Sequence, residues 1–218
     1  MRPSLVVIHY TAMATCDAAL ERLCDPAAEV SAHWLIGEGG RTWALVDEAE
    51  RAWHAGAGHW AGTADVNSHS IGIELANDGR TPYPEAQMLA LETLLAGIAA
   101  RWDVRPEGVI GHSDMAPVRK ADPGPLFDWR RLARADLSVW PEGAEGEADP
   151  AAFREALAAF GYDPALPIET LLAAFRLRFA PHATGPLTGR ETAMARDLAL
   201  RWPARRLTTP PEVQSARD

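Results

Sequence analysis

The sequence contains a single lysine, Lys120, although its 218 residues include 21 lysine and arginine side chains in all. Every other positively charged residue is therefore an arginine. A lysine ammonium group is a compact charge whose pKa shifts readily, and a guanidinium group cannot replace it in that respect. Lys120 lies two residues before Asp122, in a stretch rich in potential metal ligands. This position favours a chemical role for Lys120 over chance.

Long apolar runs and an excess of positive charge are also absent. No apolar segment approaches the roughly 20 residues that cross a bilayer, so no membrane span is expected. The N-terminal residues lead directly into a strand-like run, without the apolar region of a signal peptide. This predicts a cytoplasmic protein, or one of the periplasm or cell envelope if the natural protein has a leader. The formal net charge of −9 argues against nucleic acid as a partner, because cationic side chains dominate binding to phosphates.

Cysteine is nearly absent, with only Cys16 and Cys24 in the chain. If both lie on one helix, their Cα atoms are about 12 Å apart at a rise of 1.5 Å per residue. A disulfide requires a Cα separation below about 7 Å. We therefore expect two reduced thiols, which fits a reducing compartment.

The apolar pattern of the first 137 residues predicts an α/β fold. A short helix is expected at 18–23. A longer one is expected at 84–102, where apolar residues recur every three or four positions. A glycine-rich turn, Gly37-Glu38-Gly39-Gly40, indicates a hairpin. Because strands and helices alternate, we expect a central mixed β-sheet flanked by helices. Short β-branched or apolar runs predict strands at 4–10, 30–36, 41–46, 70–75 and 108–110.

A second, helical region is expected after an acidic, glycine-containing linker. Apolar residues recur at helical spacing in 153–160 and 171–179, and Thr188-Gly189-Arg190-Glu191 is a capping box that opens a third helix. No catalytic set of residues is found there. A monomer is the default expectation. The predicted division is an α/β domain at 1–140, a linker at 141–149, a small three-helix domain at 150–205 and a frayed tail at 206–218.

Two of the seven histidines differ from the rest in their position. His9 and His112 each lie where an apolar strand gives way to a loop. With Asp122 they form a His-His-carboxylate set, which suits zinc with a fourth position left for water. The three residues are distant in sequence, and no local motif such as HExxH is present. Chemistry alone therefore leaves structural or surface roles for both histidines open.

Five blocks of residues carry a resemblance to a known family. Together they resemble the zinc-dependent N-acetylmuramoyl-L-alanine amidases, which include a bacterial recycling amidase, phage lysozyme-like amidases and peptidoglycan recognition proteins. The resemblance covers roughly residues 4 to 137. The segment from about Asp149 to Trp202 resembles, less sharply, a peptidoglycan-binding three-helix module. The blocks are Val7-Ile8-His9-Tyr10-Thr11, Val30-Ser31-Ala32-His33-Trp34, Trp53-His54-Ala55-Gly56, Asn67 with Ser70-Ile71-Gly72-Ile73-Glu74, and Gly111-His112-Ser113-Asp114 through Lys120-Ala121-Asp122-Pro123-Gly124-Pro125.

The resemblance implies a function and a role for each matching residue. Residues 1–140 would be the catalytic domain, which hydrolyses the amide bond between the lactyl group of N-acetylmuramic acid and L-alanine in cell-wall peptidoglycan or in (anhydro-)muropeptides. One zinc ion per chain would be held by His9, His112 and Asp122. Glu74 would be the general base, and Lys120 would lie beside the metal and stabilise the oxyanion. The residues expected to line the substrate groove are His33, Trp53, His54, Trp60 and Asn67.

Several alternatives remain open on the sequence. A non-catalytic peptidoglycan-binding protein typically lacks a zinc ligand, whereas all three ligand positions are filled here. A zinc hydrolase that acts on some other amide is excluded by nothing in the sequence beyond the groove motifs. For His33 and His54, bracing the sheet or donating a hydrogen bond to a ligand carbonyl is as compatible with the sequence as direct substrate contact. The absent leader favours recycled 1,6-anhydro-muropeptides as the substrate, whereas a wall-binding module favours polymeric murein.

Overall fold

The computed structural model describes residues 1–205 and 207; the predicted tail, apart from Leu207, lies outside the described residues. Three short 3-10 turns accompany the main elements, at Pro26–Ala28, Val66–His69 and Pro106–Gly108. The strands are β1 (Leu5–Tyr10), β2 (Trp34–Ile36), β3 (Thr42–Ala44), β4 (Ser70–Leu75) and β5 (Val109–Gly111). The helices are α1 (Cys16–Cys24), α2 (Glu85–Trp102), α3 (His112–Met115), α4 (Trp129–Arg134), α5 (Pro150–Phe160), α6 (Ile168–Phe179) and α7 (Gly189–Arg201).

The five strands form one mixed sheet in the order β3-β2-β4-β1-β5. Strands β2, β4, β1 and β5 run parallel, and β3 pairs antiparallel with β2 through the predicted glycine hairpin. The predicted mixed sheet flanked by helices is thus confirmed. Because β4, β1 and β5 are parallel neighbours, their carboxyl ends meet at one edge of the sheet, where ligand sites of such folds are found.

Successive side chains of β1 pack against different layers, as the alternation of a strand requires. Val6 and Ile8 pack against the apolar side of α2, which includes Leu91 and Ile98. Val7 belongs to a second apolar cluster, on the opposite face of the sheet. His9 follows Val7 on this second face, at the carboxyl end of the strand.

The three predicted C-terminal helices are present and pack directly on the sheet. A single apolar cluster joins Val7 and Ile110 of the sheet to Phe153 and Phe160 of α5. The expected capping box opens α7, where the Thr188 hydroxyl accepts the Glu191 N–H at 3.2 Å and the Glu191 carboxylate accepts the Thr188 N–H at 2.8 Å. The division into two domains stays a prediction, since both parts contribute to this one core.

Some local expectations need correction. Residues His112–Met115, expected as part of a proline-rich loop, form one helical turn, because the prolines of that stretch all follow it and the Asp114 carboxylate accepts the Gly111 N–H at 2.8 Å. Strand β2 begins at Trp34 rather than at residue 30, since Ser31 pairs with the segment at Trp53 instead.

The sequence predicts neither a disulfide nor a membrane span. Cys16 and Cys24 stand at the two ends of α1, and neither forms a disulfide. None of the described helices is long and apolar enough to cross a membrane.

Candidate metal centre

Three predicted ligands converge at the carboxyl ends of β1 and β5. His9 is the next-to-last residue of β1, His112 follows β5 directly, and the carbonyl of Asp122 accepts the N–H of Ser113 at 2.9 Å. The Nδ1 atoms of His9 and His112 are 2.9 Å apart, and each lies 3.0 Å from Oδ2 of Asp122. All three side chains are buried. Their ligand atoms thus form a small triangle at one edge of the sheet, the ligand triangle.

The hydrogen-bond partners of His112 indicate which group this triangle could hold. Its Nε2 lies 2.9 Å from the carbonyl oxygen of Ala55, which can only accept a hydrogen bond, so Nε2 carries the proton. In the tautomer with this proton on Nε2, Nδ1 of His112 carries a lone pair that faces Asp122 Oδ2, which is also an acceptor. Two ligands of a tetrahedral zinc ion, bound at about 2.0–2.1 Å, lie about 3.3 Å from each other. The residues present therefore fit a zinc ion.

The protonation states of the triangle agree with metal binding. Burial lowers the pKa of His9 to about 4, an effect that His112 increases and Asp122 opposes. His9 is therefore neutral at pH 7, and its 3.0 Å contact with Asp122 is not an ion pair. Burial raises the pKa of Asp122, but the close contacts of its Oδ2 atom with the rings of His112 and His9 outweigh burial and hold that pKa well below its usual range. A neutral imidazole and an ionised carboxylate are the forms that bind metal.

Glu74 lies beside His9 on the neighbouring strand, where the two residues are partners in the β1–β4 ladder. Their side chains therefore project from the same face of the sheet. Burial raises the pKa of Glu74 to about 8; Asp122 adds to this effect and Lys120 opposes it. Its Oε2 atom finds no hydrogen-bond partner among the described residues. A carboxylate with a raised pKa in a cleft is typical of a residue that transfers protons.

We expect Glu74→Gln to stabilise the metal-free protein at high pH. Because the native pKa lies above the ordinary 4.5, the native state keeps a proton that the unfolded state loses, and stability falls between about pH 4.5 and pH 8. Above that window the substitution should add on the order of 1–3 kcal/mol, because a neutral amide has no charge to desolvate. Urea unfolding with a chelator at pH 5 and pH 9 measures the difference. An equal gain at both pH values would contradict this origin.

A cleft of about 460 Å³ opens onto the ligand triangle. Lys120 lines it from an exposed position. Trp53 forms part of another wall, and 55% of its side chain is exposed. The cleft therefore combines acidic, cationic and aromatic groups around the predicted ligands. Its other lining residues include Tyr10, Met13, Arg22, Val30, His54, Glu74 and Arg119.

Of the five residues expected to line a groove, the structure places two in the cleft and three outside it. Trp53 and His54 line the cleft. His33 is fully buried, with Nδ1 accepting the Gly72 N–H at 2.9 Å and Nε2 lying 3.1 Å from the Glu50 carbonyl.

Trp60 and Asn67 are also buried. Trp60 packs edge-on against Phe160 and Tyr162, because the C-terminal helices cover this part of the chain. The Asn67 side-chain oxygen accepts the N–H groups of His54 and Ala55 at 3.2 and 2.9 Å. None of the side chains of His33, Trp60 and Asn67 lines the cleft.

A buried ion pair that the sequence did not reveal supports the turn of His112. The carboxylate of Asp114 accepts hydrogen bonds from Arg178 Nη1 at 2.7 Å and from the Tyr162 hydroxyl. Arg178 also donates to the carbonyl of Val109 at 2.9 Å. Both members of the pair are almost fully buried. The one sequence signal was an arginine on the apolar face of α6, next to Phe179.

Comparison with known proteins identifies the family. The family model Amidase_2, described as N-acetylmuramoyl-L-alanine amidase, matches residues 1–125. The chain belongs to this family. AmiD of Escherichia coli K12 is 39% identical over 212 residues, an alignment that covers 83% of this chain and 76% of the relative. The 1,6-anhydro-N-acetylmuramyl-L-alanine amidase AmpD of Enterobacter cloacae is 35% identical over 148 residues, which cover 60% of this chain and 79% of that protein.

Solved structures agree over nearly the whole amidase. The complex of E. coli AmiD with the substrate anhydro-N-acetylmuramic acid-L-Ala-D-gamma-Glu-L-Lys has a TM-score of 0.84 and 36% identity, and covers 93% of this chain and 90% of that one. AmpDh3 from Pseudomonas aeruginosa also has a TM-score of 0.84, with 33% identity and 94% of each chain covered. The predicted activity, hydrolysis of the bond between N-acetylmuramic acid and L-alanine, is confirmed at the level of the family.

Proposed function

We propose that this amidase binds one zinc ion through His9, His112 and Asp122 and that 1,6-anhydro-muropeptides are among its substrates. The observation that carries the zinc proposal is the ligand triangle, in which the lone pair of His112 Nδ1 faces a carboxylate oxygen at 3.0 Å. A cation bound by these residues would remove the repulsion between the two acceptors. The substrate class is supported by the relative AmiD, whose solved complex contains an anhydro-muropeptide.

Each residue of the cleft has a separate role in amide hydrolysis. A bound zinc ion supplies an acidified water molecule and polarises a carbonyl group. Glu74 takes the proton of the attacking water and delivers it to the nitrogen of L-alanine, which leaves as an amine. Lys120 presents a fixed positive charge to the oxyanion that develops on the lactyl carbonyl. Trp53 offers an exposed aromatic face to the sugar or the stem peptide.

A non-catalytic binding protein is the competing function. A binding protein requires the cleft, but it does not require an acid–base group beside the ligand triangle. Glu74, whose pKa is about 8, is such a group. The C-terminal helices remain the predicted contact to polymeric murein, and the compartment stays a prediction. The first experiment therefore compares intact muropeptides with 1,6-anhydro-muropeptides.

Removal of zinc is expected to abolish release of stem peptide from purified muropeptides. Chelated protein should lose at least about 10³-fold in rate, because a metal site of this kind supplies both the nucleophile and the carbonyl polarisation. One equivalent of zinc should restore the rate, whereas excess magnesium should not, since a histidine-containing site does not suit it. Chromatography of released peptide from intact and 1,6-anhydro-muropeptides measures the reaction. Lack of release from either substrate, with zinc bound at one equivalent, would leave a binding protein.

A further inference from the structure

We infer that the dipeptide His54–Ala55, held in place by Asn67, positions both histidine ligands and sets which ring nitrogen of each one faces the metal. The inference rests on the proposed function, because the proposed ligands are the groups that it positions. It replaces direct substrate contact as the role of His54 and gives Asn67 a role beneath the cleft.

The tautomer of His9 follows from a hydrogen-bond chain that ends on a backbone carbonyl. The Ser70 hydroxyl donates to the carbonyl of Val66 at 2.7 Å, so its oxygen accepts from Nε2 of His54 at 3.3 Å. Neutral His54 then has a lone pair on Nδ1, which accepts from Nε2 of His9 at 3.0 Å. His9 is left without a proton on Nδ1, the atom that it contributes to the ligand triangle.

The second ligand ring is held by the next residue along the chain. The carbonyl of Ala55 accepts from Nε2 of His112 at 2.9 Å, which likewise leaves Nδ1 of His112 as a lone pair. The outer partners of the two rings are thus consecutive residues, one through its side chain and one through its backbone. Ligand histidines commonly donate their other N–H in this way, and the outer partner fixes the orientation and basicity of the ring.

Asn67 holds the dipeptide at both residues. Its side-chain oxygen accepts the N–H of His54 at 3.2 Å and the N–H of Ala55 at 2.9 Å. Asn67 is itself buried, at 9% exposure, in the turn that precedes β4. A shift of this one amide would therefore move the outer partners of both ligands together.

The sheet is shaped to receive the His54 ring. A Cβ atom on Gly72 of β4 would lie 2.3 Å from Cγ of His54, so only glycine leaves room for the ring against the strand. The His33 ring packs edge-on against His54, with 5.6 Å between ring centroids. His33 is in turn fixed by backbone groups, including the N–H of Gly72. The imidazole of His54 is therefore held on the face that carries His9.

Two pairs of substitutions test the inference in the full-length protein. His54→Asn keeps an acceptor near the position of Nδ1, and Asn67→Asp keeps the acceptor oxygen, whereas His54→Leu and Asn67→Leu remove them. Each leucine variant should weaken zinc affinity by about 10–100-fold, and the asparagine and aspartate variants should stay within about threefold of wild type. Competition with a chelator of known affinity gives the zinc Kd. The visible absorption of the cobalt-substituted protein should change in the leucine variants only.

His69→Asn is the matched control, because His69 is also a buried histidine but takes no part in the hydrogen-bond chain described above. It should leave both the zinc Kd and the cobalt spectrum unchanged. If His54→Leu fails to fold by circular dichroism, His54→Gln takes its place, since its longer amide reaches towards Ser70 rather than His9. Wild-type zinc affinity in the leucine variants would overturn the inference, as would a raised KM with an unchanged zinc Kd. Failure of the wild type to bind zinc would instead overturn the proposed function.

Discussion

Replacing Glu74 by glutamine is expected to lower kcat for muropeptide hydrolysis by about 10²–10⁴-fold, the usual contribution of a general acid–base group. The carboxylate lies beside His9 on the adjacent strand, and burial raises its pKa to about 8. A bound cation lowers that pKa and so favours the ionised form that accepts a proton. An amide of the same shape cannot accept a proton at neutral pH. Steady-state rates with a 1,6-anhydro-muropeptide measure the loss.

The interpretation of this variant depends on its metal content. Zinc should remain at one equivalent per chain, because Glu74 is not among the three ligands. Glu38→Gln, at an exposed position of the β2–β3 turn, provides the matched control and should retain wild-type kcat. A Glu74→Gln enzyme with more than a tenth of the wild-type rate would remove Glu74 from the reaction, since even a modest acid–base role exceeds about 10-fold.

Arg178→Met is expected to lower the free energy of unfolding by about 3–5 kcal/mol, because it leaves a buried carboxylate without its cation. Asp114 and Arg178 are both about 1% exposed and their charged atoms are 2.7 Å apart. The carbonyl of Val109 and the hydroxyl of Ser138 would lose a donor as well. Urea unfolding of the metal-free protein measures the loss, and a single transition is expected, since the sheet and the C-terminal helices share one apolar cluster.

The exposed pair of Arg196 and Asp149 supplies the comparison for this variant. Its atoms are 3.3 Å apart and its side chains are 59% and 45% exposed, so Arg196→Met should change stability by less than about 1 kcal/mol. Adding Asp114→Asn to Arg178→Met should recover part of the loss, because the unpaired charge is then removed. A loss no larger than that of Arg196→Met would show that the buried pair contributes no more than an exposed one.

The parts of the site that the sequence predicts are those with a local signal. His9 and His112 each lie at the carboxyl end of an apolar strand, and parallel pairing brings such positions to one edge of the sheet. That Glu74 lies next to His9 depends on the order of the strands in the sheet. No local sequence pattern contains that order. The role of Glu74 came from the resemblance alone. The same is true of Lys120 beyond its position as the one lysine.

The parts that the sequence does not predict depend on which surfaces meet in space. Trp60 lies in an irregular aromatic segment that is typical of a groove wall, but α5 covers it and makes it part of the core. The pairing of Asp114 with Arg178 joins residues 64 positions apart, and the predicted linker at 141–149 gave no sign that the two segments would share a core. Similarly, the histidine at 54 lies against the sheet because residue 72 is glycine, a relation that appears only once the strand is placed.

The single lysine at the edge of the cleft has a practical consequence. Reagents that react with primary amines have one side-chain target in this chain, Lys120. That target lies where a muropeptide is proposed to bind. Protection of Lys120 from such a reagent by a bound muropeptide therefore reports on occupancy of the cleft from one defined side chain, without any engineered cysteine. The arginine-rich composition has left the amidase with its own attachment point for a label.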